Sequence, residues 1–363
     1  MHVLTDARAV QKCVDGISRY SIGVLRALSA LRPEWRITAL ADPSALPLLQ
    51  ELDIETVKSD VPRFRSGENR KLAPAIEDIQ PDVYFNFSMA GPRPRVPTML
   101  AVHDLMVLTV PGYFGKYTLK NILARLVFRF HISRSVEHAS SIPVPSRATL
   151  TELEKVFPET SGKGFVTGEG QDLFHGNEKN TTDRKNFILY VGNARAYKNV
   201  TRLIVAYSRL RAMDSSFPDM KMVVRRDRAY RRFRRELEDS SGKDSVQVLS
   251  AVSDSELKEL YRRCSFLVIP SIKEGFGLPA LEAMAAGAPV VGSRGTSLEE
   301  ILGDAGILVN PESVTDIMRG MALAKSSPEL RKEMGEKGPA RASDFTWKRT
   351  ATLIADRMSE LAQ

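Results

Sequence analysis

Cysteine is almost missing: the 363 residues hold two, Cys13 and Cys264, far apart and without C-x-x-C or Cys/His spacing. That excludes a disulfide framework and argues against a zinc site. Aromatic residues are 7% and tryptophan occurs twice. No apolar stretch approaches the roughly 20 residues of a spanning helix. The start, MHVLTDARAV, lacks the basic and apolar regions of a secretory signal, so a cytosolic protein is expected. Glycine (23) and proline (20) are too few for a collagen-like or low-complexity chain. What remains is 43% hydrophobic and 26% charged. That is an ordinary globular composition at a length suited to two domains.

The charge balance is 52 − 44 = +8. Residues 1–175 hold 21 basic and 19 acidic side chains, the remainder 31 and 25. One segment, 221–235 (KMVVRRDRAYRRFRR), carries eight Lys/Arg against one Asp. Such a run fits a solvated helix face or a phosphate-bearing partner. A nucleic-acid binder is a competing class, but only Tyr230 and Phe233 interleave the arginines and no reading motif is present.

Short apolar runs alternate with helical patterns twice over, which predicts an α/β fold with two parallel sheets. Strands are expected at 2–5, 36–41, 55–57, 83–87, 98–102 and 141–144, then at 187–192, 220–225, 246–249, 266–269, 289–292 and 307–309. The polar stretch 175–186 (HGNEKNTTDRKN) reads as a linker. This gives domains of 1–175 and 176–345, with an amphipathic helix in 346–363. Ligands of open parallel sheets bind beyond the carboxyl ends of the strands. Helix 116–138 mixes Leu119, Ile122, Leu123, Leu126, Val127 and Phe130 with Lys116, Lys120, Arg125, Arg129 and Arg134. It is amphipathic and basic, suited to a core-facing helix or to an anionic membrane.

The chemistry concentrates at 265–311, SFLVIPSIKEGFGLPALEAMAAGAPVVGSRGTSLEEILGDAGILVNP. A buried strand runs into a loop with Glu274, Gly275, Phe276 and Gly277, and a helix follows. The glycines permit close backbone approach, and the helix start offers free N–H donors to an anion. Glu274 and Glu282 lie two helical turns apart, a pairing suited to vicinal hydroxyls or to acid–base work.

This segment resembles the signature of retaining glycosyltransferases of family four, in which a Glu, seven residues and a second Glu stand in a PS-x-x-EGFGLP-x-LEAMA context. YVGNARAYKNVTRLIVAYSRL (190–210), SDSELKELYRRCSFLVIPS (253–271) and FTWKRTATLI (345–354) extend the likeness. So do DGISRYSIGVLRAL (15–28) and AVHDLMVLTVPGYF (101–114). The resemblance implies the GT-B fold, two Rossmann-like domains facing a central cleft, with the last helix crossing back to the first domain. It further implies transfer of a sugar from a nucleotide diphosphate donor to a hydroxyl acceptor with retained configuration. No resident cofactor and no metal are implied, and no Asp-x-Asp stands in the chain to hold one.

By resemblance, Glu274 binds donor-sugar hydroxyls and Glu282 the ribose. The backbone of Gly275, Phe276, Gly277 and Leu278 approaches the sugar and diphosphate. Lys198 neutralises the leaving phosphate, Gly16 lets a loop close over it, and His103 faces the transferred sugar. Main chain at Ala251 and Val252 holds the base. Asn193 replaces the family's usual arginine, leaving Arg195 as substitute, and Arg225-Arg226-Asp227 replaces a Gly-x-Gly turn. Mannosyltransferase-like members building surface polysaccharide or glycolipid are the nearest in pattern. GDP-mannose is therefore the expected donor, a glycan or lipid-linked hydroxyl the expected acceptor, and the inner membrane face a possible location. A nucleotide-sugar epimerase of the same fold is the competing enzyme.

Overall fold

Buried strands of parallel sheets are apolar on both faces, and FILYVG, FLVI and VVGS answer to that demand. The computed structural model describes residues 1–10, 16–65, 67–111, 113, 118–174 and 184–363. Cys13, Asp15, Lys116 and positions 175–183 of the expected linker lie outside the described residues. The chain divides into two units, Met1–Gly170 with Phe345–Gln363, and Gln171–Asp344.

The first unit runs β1 (His2–Asp6), α1 (Gly16–Leu31), β2 (Arg36–Ala41), α2 (Leu46–Gln50), β3 (Glu55–Lys58), α3 (Glu68–Asp78), β4 (Val83–Asn86) and β5 (Thr98–Leu100). It continues with α4 (Met106–Thr109), α5 (Leu119–His138), β6 (Ile142–Val144), α6 (Arg147–Val156) and β7 (Gly164–Val166). Five parallel strands form a sheet in the order β3-β2-β1-β4-β5, and β6 pairs with β7. The strand order reverses between β1 and β4.

The second unit runs β8 (Phe187–Gly192), α7 (Val200–Met213), β9 (Asp219–Val224), α8 (Tyr230–Glu238), β10 (Val246–Leu249), α9 (Asp254–Arg263) and β11 (Phe266–Ile269). Then follow α10 (Leu278–Ala285), β12 (Val290–Ser293), α11 (Ser297–Leu302), β13 (Ile307–Val309), α12 (Val314–Ser326) and α13 (Pro328–Ala342). All six strands are parallel, in the order β10-β9-β8-β11-β12-β13. This is the doubly wound order, whose topological switch point falls between β8 and β11. Ser253 and Glu256 close a reciprocal capping box at the start of α9.

The final helix, α14 (Trp347–Leu361), buries Trp347, Ala351, Ile354, Ala355 and Met358 in the first unit's core with Val24, Leu25 and Leu28 of α1. The fit is tight: a methyl group at Gly23 of α1 would collide with the Trp347 ring.

Most elements fall where periodicity places them, with three differences. The short β7 and α4 carry no periodic signal. The third is the last turn of α13, which runs on through Pro339 to Ala342 with Gly338 packed closely against Met284 of α10.

Candidate functional site

The switch point of the second sheet is where sequence and topology converge. Strand β8 ends at Gly192, and the turn that follows carries Lys198 at the end of a short 3-10 helix, Ala196–Lys198. Strand β11 ends at Ile269, and the loop after it carries Glu274. Across the gap the Lys198 Nζ donates to Glu274 Oε1 at 2.7 Å and Oε2 at 2.9 Å. The side chains are only 12% and 7% exposed, so this is a desolvated ion pair. Ser271 Oγ also donates to Glu274 Oε1, at 2.7 Å.

Local structure holds both loops. Asn199 takes a left-handed conformation (φ 59°) between the 3-10 turn and α7. Its buried amide donates to the carbonyls of Pro270 (2.8 Å) and Pro311 (2.7 Å), tying the β8 and β11 loops together. Ile272 N–H donates to the Tyr197 carbonyl at 2.7 Å. Burial raises the Tyr190 phenol far above its ordinary pKa. It therefore stays protonated and donates to the Asn193 carbonyl at 2.7 Å.

Helix α10 begins at Leu278 behind Gly277, whose φ is 113°. A side chain there would be strained, and its Cβ would stand 2.5 Å from Leu298 Cδ2. Ser297 Oγ donates to the carbonyls of Phe276 (2.7 Å) and Glu274 (3.1 Å), fixing the loop from the α11 side. Glu282, one turn into α10, is 4% exposed and accepts from the buried Tyr261 hydroxyl at 2.8 Å. Leu278 and Gly275 are half-buried, and Phe276 is buried.

Lys198 and Glu274 are thus brought into direct contact, whereas Glu282 meets a residue no motif singled out, Tyr261 of α9. Arg195 donates from Nε to Asp227 Oδ2 at 3.1 Å, and Asp227 also caps the next turn through Ala229 N–H at 2.9 Å. The lone acid inside the basic run is therefore a built-in counterion. Ala251 is exposed with φ 62°, a left-handed turn at the end of β10. Val252 lines a cavity of about 480 Å³ with Phe187, Lys221, Leu249 and Leu260. That cavity runs from Phe187 at the start of β8 to Leu249 at the end of β10.

In the first unit His103 follows β5. Its Nε2 donates to the Phe87 carbonyl at 3.0 Å, and Nδ1 faces Glu169 Oε1 at 3.8 Å. Tyr20 packs edge-on to the imidazole, 4.6 Å between centroids. Gly16, expected in a loop, is instead the first residue of α1, exposed, and a Cβ there would meet nothing within 4 Å.

Residues 174–341 match the sequence profile of a family described as Glycosyl transferases group 1. The chain is 26% identical to a serotype-specific mannosyltransferase WbdA of Escherichia coli, over all of this chain and 48% of that one. It is 23% identical to O-antigen chain mannosyltransferase B of Escherichia coli, over 97% and 98% of the two chains. The chain thus spans about half the length of the WbdA relative it matches. Among solved structures, sucrose-phosphate synthase from Thermosynechococcus elongatus superposes with a TM-score of 0.76 at 19% identity, over 99% of this chain and 98% of that one. The fold shared over the whole chain is the GT-B class.

Proposed function

We propose that this protein, whose residues 174–341 match the glycosyl transferases group 1 family, is a retaining glycosyltransferase of surface polysaccharide or glycolipid assembly. The observation that carries the reading is the Lys198–Glu274 pair at the switch point of a doubly wound sheet. A cation beside a carboxylate suits a ligand with a diphosphate next to a sugar. The carboxylate accepts from sugar hydroxyls, and the ammonium meets the phosphate oxygen on which charge grows. Glu282, held by Tyr261, would accept from the ribose hydroxyls, and the α10 amino end behind Gly277 would face the diphosphate.

In the proposed reaction the bond between the anomeric carbon and the phosphate oxygen breaks, and its electron pair leaves with the nucleoside diphosphate. The acceptor hydroxyl oxygen attacks the same face, and its proton passes to the departing phosphate oxygen. Glu274 therefore orients the sugar and is not the nucleophile. His103, with Nε2 held on the Phe87 carbonyl, would face the transferred sugar, and main chain at Ala251 and Val252 would hold the base. The relatives are named mannosyltransferases, one of them of the O-antigen chain, which favours mannose as the transferred sugar; GDP-mannose as donor and a glycan or lipid-linked hydroxyl as acceptor complete the proposal.

A peripheral membrane location is part of the proposal. Leu119, Ile122, Leu123, Leu126, Val127 and Phe130 recur at helical spacing on α5 and are all exposed, Leu119 by 74%. Lys120, Arg129 and Arg134 are exposed on the same helix. No helix among the described residues is long and apolar enough to cross a membrane. An exposed apolar stripe flanked by cations fits an anionic lipid surface. Co-sedimentation with phosphatidylglycerol vesicles should be lost in L123D/L126D.

The enzymatic test is incubation with GDP-mannose and candidate acceptors, following nucleotide release and anomeric coupling by NMR. Acceptor-dependent release with an α-linked product is expected. Conversion of the donor to an epimer without acceptor would instead assign an epimerase.

A further inference from the structure

The two cations assigned to the diphosphate are each already matched by a carboxylate. Lys198 is paired with Glu274 and Arg195 with Asp227, so each pair sums to zero. A diphosphate at this edge needs positive charge from elsewhere. The strand order says where to look. A donor reaching from the β10 turn at Ala251 to the β11 loop at Glu274 passes the ends of β9 and β8. Neighbouring strands stand about 4.8 Å apart, so the β9 end is one strand from the Lys198 turn.

At that end stand Arg225 and Arg226, both exposed. Arg225 N–H donates to the Gly192 carbonyl at 3.1 Å, which fastens the exit of β9 to the exit of β8. Arg226 lies over the Tyr230 ring, its guanidinium carbon 5.6 Å from the centroid. The acids nearby are spent: Asp227 on Arg195, Glu236 on Arg232 and Glu238 on Arg234. Arg294 sits beyond β11, at the end of β12, off this path.

Resting on the donor reading above, we infer that Arg225 and Arg226 supply the charge that holds the donor's diphosphate. In this chain two departures from the family pattern then compensate each other. Asn193 removes an arginine from the β8 exit, and Arg225-Arg226 returns positive charge from the β9 exit. A planar guanidinium can pair with two phosphate oxygens at once, which suits it to the task.

The test is titration calorimetry of the full chain with GDP, GMP and guanosine, and with the uridine series. The wild type should prefer a diphosphate to its monophosphate. R225A/R226A should lose about tenfold or more in diphosphate affinity, the scale of one charge-assisted hydrogen bond, and leave the nucleoside unchanged. R225K/R226K should recover part of the loss. R231A/R235A removes the same charge from exposed sites further along α8 and should bind like the wild type. Equal diphosphate affinity in R225A/R226A, or an equal fall in R231A/R235A, overturns the inference while leaving the donor reading intact. A wild type that binds no nucleoside diphosphate overturns the donor reading and this inference with it.

Discussion

Lys198 and Glu274 satisfy each other in a place with little water, and each becomes a liability when the other is removed. Lys198→Ala should lower turnover by about a hundredfold through loss of charge at the leaving phosphate. It should also destabilise the second unit by about 3 kcal/mol, because an uncompensated carboxylate stays behind. Adding Glu274→Gln should restore part of that stability in urea unfolding and none of the activity. If the single variant is as stable as the wild type, the pair is not desolvated as described. Tyr261→Phe removes one hydrogen bond from Glu282, worth about 1 kcal/mol. Donor KM should rise about fivefold with kcat within about twofold, and an unchanged KM would separate Glu282 from donor binding. Glu274 and Glu282 stand out in the sequence through carboxylate–glycine spacing, and Lys198 through the family resemblance. Tyr261 is not, since a tyrosine at a helical core position looks like packing until its hydroxyl is seen on Glu282. Asp227 is hidden the same way, one acid among eight bases whose partner comes from another loop.

Helix α10 depends on one backbone conformation. Gly277→Ala would force a side chain into φ 113° and press its Cβ on Leu298. The expected cost is about 1–3 kcal/mol, with donor affinity falling in step because the loop carrying Glu274 moves. Thermal unfolding and nucleotide titration of this variant check both, and wild-type values in both would contradict the account. Strands buried on both faces and helices with one apolar stripe write their period into the chain, so most elements are legible. Three-residue β7 and four-residue α4 are not, because contacts made elsewhere decide such short segments. Helix α5 shows a different limit. Its pattern reveals an apolar stripe, but a stripe facing a core and a stripe facing outward have one and the same period. Only the structure shows that Leu119, Ile122, Leu123, Leu126, Val127 and Phe130 stay uncovered.

Each of the two larger sheets carries a polar cluster at its switch point, and in the first unit that cluster is a set of interlocked ion pairs and hydrogen bonds. Arg8 donates to Asp6 at 2.9 and 2.6 Å and to Glu68 at 2.8 Å, and Tyr84 donates to Asp6 at 2.8 Å. Burial alone would raise the Asp6 pKa. The Arg8 charge and the hydrogen bonds from Arg8 and Tyr84 outweigh it and hold the carboxyl below its ordinary 3.8. A depressed folded-state pKa gives stability that is complete above the unfolded value and lost as pH falls through the folded one. Acid unfolding of the first unit should therefore set in below about pH 4. Asp6→Asn should be less stable at neutral pH and less sensitive to acid, as circular dichroism across pH 2–7 would report. Equal acid profiles would remove Asp6 from the account. The second unit's cluster is the one proposed to bind the donor. Calorimetric titration of the chain with GDP-mannose, UDP-glucose and ADP-glucose, repeated on Glu282→Gln, bears most directly on that claim. One of the three should bind the wild type and lose about tenfold or more in the variant; binding of none, or equal binding by both proteins, would contradict it.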